Sequence, residues 1–213
     1  MKKSTLSIIL FVALAALTAT AGATGYQVTV DNGSTANMFP WWPLAFPSGC
    51  RIQMLYDRSA INYAGVVNEF ELQKTSAGTG NFAGAKFYLC HTSVGSLTNN
   101  FRDNYGGNTP TLVASFTNYL LPARSGFYPI PMSTTFTYNN ADNLILEITY
   151  ESSSGAGGGL YCGRMATAHR CFGRSSSSES GTTDTWGYNG RLSFSYYPAV
   201  APASLGRVRA LFK

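Results

Sequence analysis

Asn143-Leu144-Ile145-Leu146-Glu147-Ile148-Thr149-Tyr150 is the stretch that decides how this chain folds. Leu144, Leu146, Ile148 and Tyr150 fall on one side of a two-residue repeat, while Glu147 and Thr149 fall on the other. That alternation predicts a β-strand with one face on a core and the other in water. The strand is entered from Asn139-Asn140-Ala141-Asp142, a run of turn-forming residues that fixes where pairing starts.

The same period recurs on both sides of this stretch. At 66–72, Val66, Phe70 and Leu72 share a face, with Glu69 and Glu71 opposite beside Val67. At 85–90, Phe87 and Leu89 oppose Lys86, Tyr88 and Cys90. Further short runs at 26–30, 52–56, 111–116, 127–131, 134–138, 160–165, 169–174 and 191–196 are separated by Gly, Pro, Asn and Ser clusters. Helix-forming runs do not appear after residue 23, and β-branched and aromatic types dominate. The prediction is an all-β fold, one antiparallel jelly-roll-like β-sandwich domain over 24–197, built on Leu144, Leu146, Ile148, Phe70, Leu72, Phe87 and Leu89. The Ser/Gly-rich stretches at 152–159 and 175–181 read as flexible connectors. No repeat period marks a solenoid or propeller.

The chain begins with Met1-Lys2-Lys3, then the apolar run from Leu6 to Leu17, then small residues with cleavage sites after Ala21 or Ala23. A basic start, a short apolar centre and a small-residue exit are the layout of a secretory signal peptide, assigned here to 1–23. The expected location is secreted or at the cell surface, with no transmembrane segment after cleavage. Only 12% of residues are charged, and the charges are unevenly placed. Residues 24–159 carry six basic and eight acidic side chains, whereas 160–213 carry seven basic against Glu179 and Asp184. The tail at 198–213 is basic, but no run has the length of a polyanion-binding tract, and no nucleic-acid motif accompanies it.

Several stretches also match a known pattern when taken together: CRIQMLYDRSAINYAGVVNEFELQ from Cys50, AKFYLCHTSVGSL, then Phe101 with NYGGNTP from Asn104, and PMSTTFTYNNADNLILEITY. Across residues 38–196 the chain resembles an uncharacterised jelly-roll β-sandwich module of exported bacterial proteins, often found beside C-terminal sorting domains. The resemblance implies a sandwich and export, and brings no catalytic set or ligand. The segment after residue 197 is too short for a sorting domain of its own.

Cys162 and Cys171 lie on neighbouring predicted strands eight residues apart, and an oxidising destination predicts a disulfide between them. Cys50 and Cys90 form the possible second pair; four cysteines allow three connectivities, and the sequence does not choose. Cys90-His91 and His169 with Cys171 bring metal-ligand types together without the tight Cys pairs of zinc sites, so neither metal nor cofactor is expected. Asp142 with Asn139, Asn140 and Asn143 is explained by turn chemistry rather than by calcium. Hydrolase motifs are missing, although Ser93 is two residues from His91, and Glu69 and Glu71 share a strand face as a sandwich glycosidase's acids would. An outward solubilising face accounts for the two glutamates. No catalytic residue is assigned.

The loop at 39–47 sets Phe39, Trp41, Trp42 and Phe46 among Pro40, Pro43 and Pro47. Rigid aromatics suit stacking on sugar rings, which makes these four the ligand-binding candidates. The competing reading is a lid over an open end of the sandwich, favoured by the rarity of large exposed aromatic patches. The expected function is a secreted non-enzymatic binding or surface module for an extracellular glycan or envelope polymer. The alternatives are a self-associating envelope component and a secreted glycan-active hydrolase.

Overall fold

The computed structural model describes residues 25–195; the expected signal peptide and basic tail lie outside the described residues. Among the described residues, fifteen strands form two antiparallel sheets that face each other. The first contains β1 (Tyr26–Val30), β2 (Thr35–Asn37), β4 (Gly65–Lys74), β7 (Gly126–Ile130), β8 (Phe136–Tyr138), β11 (Leu160–Arg164), β14 (Trp186–Tyr188) and β15 (Gly190–Ser195). The second contains β3 (Cys50–Tyr56), β5 (Gly80–Thr92), β6 (Thr111–Leu120), β9 (Asn143–Tyr150), β10 (Ser152–Gly155), β12 (Arg170–Gly173) and β13 (Thr182–Asp184). The chain crosses from one sheet to the other again and again, as in a jelly roll, and β1 at the start pairs with β15 at the end.

β9 occupies the middle of the second sheet, between β3 and β5. Its register sets Ile148 between Ile52 and Phe87, and Leu146 between Met54 and Leu89. These side chains meet Phe70, Leu72 and Leu192 of the first sheet in one core, so all seven expected core residues are buried together. Burying each such side chain contributes about 1.5–3 kcal/mol.

Two details depart from simple alternation. In β4, Val67 rather than Val66 faces the core. The register against β15 runs Glu69↔Ser193 and then Val67↔Phe194, so Asn68 is an extra, bulged residue that switches the face of what precedes it. The stretch at 152–159 is not a plain connector either. Ser152–Gly155 pairs with β5, and Gly157 has φ +73° with its Cα so close that a Cβ would sit 2.0 Å from the Trp41 carbonyl oxygen. Its glycines are needed for close approach.

The expected Cys162–Cys171 disulfide is corrected by the topology. β11 and β12 are not a hairpin but belong to opposite sheets. Cys162 sits in the core between the sheets, opposite Tyr188 and Thr35, whereas Cys171 lies on the far side of the second sheet, opposite Gln53 and Thr183. Cys50 and Cys90 are separated in the same way, Cys50 pointing into the core and Cys90 to the outer side. All four thiols are free and buried.

Burial pushes Cys50, Cys90 and Cys171 from the ordinary 9.0 up to about 12, and Cys162 up to about 11. The folded protein should therefore leave all four thiols unreactive toward Ellman's reagent at about pH 8, and release four on denaturation. A raised folded pKa makes this contribution complete below the ordinary value and progressively lost above it. Stability measured by denaturant titration should accordingly hold through neutral pH and fall as pH rises from about 9 toward 12.

Candidate functional site on the outer face of the second sheet

Three of the four aromatics at 39–47 point inward. Trp41 is fully buried against Phe82, Phe87 and Tyr119, and its Nε1–H donates to the Tyr128 hydroxyl at 2.6 Å. Phe39 and Phe46 are buried edge to face, with Phe39 also against Phe172 and under the Arg170 guanidinium. These three cannot stack on a ligand; the loop is a lid. Trp42 is 38% exposed and Leu44 lies beside it at the tip.

The outer face of the second sheet holds what the sequence did not show. On β3, β5 and β9 its residues align in rows: Lys86, Thr149 and Arg51; then Tyr88, Glu147 and Gln53; then Cys90, Ile145 and Leu55. The last row is apolar and is covered by the segment after β5, whose Leu97, Phe101 and Tyr105 pack on it. A 3-10 turn at Asp103–Tyr105 brings two polar side chains back onto the sheet. Asn104 Nδ2–H donates to Gln53 Oε1 at 2.9 Å, and the Tyr105 hydroxyl donates to Glu147 Oε2 at 2.7 Å.

Glu147, expected in water, is only 3% exposed. A buried carboxylate needs donors and counter-charge: its Oε2 accepts from the Tyr105 hydroxyl and from Gln53 Nε2–H at 2.8 Å, and it pairs with the Arg51 guanidinium, whose Nε lies 3.2 Å away. Arg51 is held in turn by the Ser178 carbonyl at 2.9 Å, by the Tyr105 hydroxyl at 3.0 Å and by the Phe101 ring beneath it. Burial works against the Arg51 charge, but Glu147 and Tyr105 together outweigh it and hold the guanidinium's pKa above its ordinary value. Burial, then Glu147, raises the Tyr105 and Tyr88 phenols.

Where the covering segment stops, the polar rows are left open as two hollows that share Arg51. One, of about 270 Å³, is lined by Lys86, Tyr88, Glu147, Thr149, Glu151 and the Ser176-Ser177 loop. The other, of about 420 Å³, lies between Arg51, Asn100, Arg102, Tyr105 and Glu179. Gly84 shapes the near end: at φ +62°, a Cβ here would lie 2.6 Å from the Glu151 carboxyl carbon. Lys86 and Glu151 make no ion pair among the described residues.

The other sequence candidates are engaged elsewhere. Glu71 is buried in an ion pair with Arg191, and Glu69 accepts from Ser193, both on the first sheet. His91 stacks on Tyr138, with Nε2 accepting from the Asn139 N–H at 3.2 Å, and burial lowers its pKa against the pull of Asp142. His169 lies between Asp57 and Thr167. Asn139 Oδ1 accepts from the N–H groups of Ala141 and Asp142, closing the turn on itself, and Asn143 bridges Arg58 and Val94.

No family model matches the chain, and no curated protein matches it. The site therefore rests on its own geometry. Glu147, Arg51 and Tyr105 were missed because they are distant in sequence; the available signal was Leu55, Cys90 and Ile145, three apolar residues at outward-facing positions of paired strands.

Two sets of variants check this arrangement. Trp41→Ala should cost about 3–5 kcal/mol and Trp42→Ala about 1 kcal/mol or less, by chemical denaturation. Tyr105→Phe should cost about 1–3 kcal/mol, and Glu147→Gln about 3–5 kcal/mol because it strands the Arg51 charge.

Proposed function

We propose that this chain is a secreted, non-enzymatic binding module, and that the outer face of its second sheet holds a hydroxyl-rich polymer, a glycan or cell-envelope polysaccharide. The observation that carries this reading is the pair of open polar hollows joined at Arg51. Sugars are recognised by planar polar groups that reach two hydroxyls at once and by a ring that covers an apolar face. Arg51 and Glu151 supply the former, Lys86 adds a charged donor beside them, and the half-buried Tyr88 supplies the latter. Arg51 and Glu147 are already fixed by their neighbours, so little ordering cost remains on binding. The basic, apolar and small-residue start of the chain supports secretion.

The same geometry argues against hydrolysis. Glu147 Oε2 already accepts from Tyr105 and Gln53 and pairs with Arg51, so it is engaged as a fixed acceptor rather than held free as an acid or nucleophile. Mixed charge in the hollows also disfavours a polyanion such as nucleic acid, which calls for an uninterrupted basic surface.

A glycan array of neutral and acidic polysaccharides, followed by calorimetry, tests the proposal. Lys86→Ala and Glu151→Gln are each expected to weaken binding about tenfold, the loss of one charged hydrogen bond, with unchanged melting temperature. Trp42→Ala is expected to bind as the parent does. Absence of binding across the array, or full affinity in both hollow variants, overturns the reading.

A further inference from the structure

Sheet edges are where β proteins meet other chains, and natural edges are kept short or interrupted by charge or proline. Most edges here follow that rule. β2, β8, β13 and β14 have three residues each, β10 has four, and β7 carries Pro129. β13 also ends in the ion-paired Asp184.

β6 does not follow it. It runs for ten residues, TLVASFTNYL, without a charge or a proline. One edge pairs with β5 along its length. On the other, Ser133 and Thr134 bond only the Val113 carbonyl, and from Ala114 to Leu120 no described strand or loop pairs with it. The Leu121 N–H donates to Gly80, so Leu121 and Tyr119 aim their backbone groups at β5, and alternation sends those of Leu120 and Asn118 outward. Leu120 is 71% exposed and Leu112 43% exposed on the same strand.

We infer that β6 is a self-association edge, and that its occupant is the β6 edge of a second copy, paired antiparallel about a two-fold axis. An identical strand is self-complementary in that arrangement. It has no charge to repel its mate, and it is already extended, so pairing costs far less ordering than capture of a free peptide. The exposed leucines leave water as the strands meet. The union makes one continuous sheet from two seven-stranded ones. A two-fold normal to that sheet turns both outer faces the same way. On the binding reading above, the two pairs of hollows would then lie side by side on one surface, suited to two stretches of a single polymer.

Sedimentation of the purified protein across a micromolar to submillimolar series tests the edge without reference to any ligand. The parent is expected to pass from monomer to dimer, with the Leu120 and Asn118 amides gaining hydrogen-exchange protection in step. Leu120→Lys should weaken the dimer at least about tenfold, because a side chain that gains by leaving water is replaced by a charge that loses by it. Asn118→Pro, which removes an outward donor and spares the β5 ladder, should abolish it. Each variant is to retain the parent's far-UV spectrum and the melting temperature of the dilute monomer; if one fails this, the other decides. A parent that stays monomeric throughout, or a dimer that persists in a folded variant, overturns the inference. Loss of dimer with glycan binding intact separates it from the binding proposal.

Discussion

A carboxylate placed on a sheet face and then covered must be met by donors, and the way Glu147 is met organises one side of this molecule. Tyr105, Gln53 and Arg51 converge on one oxygen, and each is itself tied to the segment that lies over the sheet. The cover therefore has a fixed position. Leu97, Phe101 and Tyr105 bury the apolar row below it, and the polar rows beyond it stay open. Removing one donor would leave a charge partly desolvated, at a cost well above that of an ordinary surface hydrogen bond. Structure and site thus share the same residues.

Much of the architecture could be read from local pattern. The alternation at Leu144, Leu146 and Ile148 placed the core correctly because a buried face imposes a strict period on a strand. It failed at Val66 and Val67, where Asn68 bulges and the period is broken by one residue. It failed again for Glu147, since a polar residue at an outward position looks the same whether water or another segment of the chain covers it. The cysteines were misplaced for a related reason. Sequence proximity suggested a hairpin, while the chain instead crosses between sheets at that point.

The candidate site was nearly invisible beforehand because it is assembled from three strands and two loops with no shared motif. Arg51 and Glu147 are almost a hundred residues apart, and only the β3–β9 register makes them neighbours. The aromatic loop showed the opposite problem. Its composition was conspicuous, yet Trp41 is buried and its polar atom is satisfied by Tyr128. A ring of that size closing an end of the sandwich excludes more water than any other residue type would.

The pairing of Tyr26 with Phe194 brings the first described strand against the last. The first sheet is therefore incomplete until β15 is available, and β4 lacks its β15 partner until then as well. Such a chain gains little by folding as it is made, because its decisive contacts are the most distant ones and closing them is slow. Until β15 arrives, β1 and β4 each lack a neighbour, and the core face of the first sheet stays open to water. The closing of this seam is the step that converts a collection of hairpins into a sandwich.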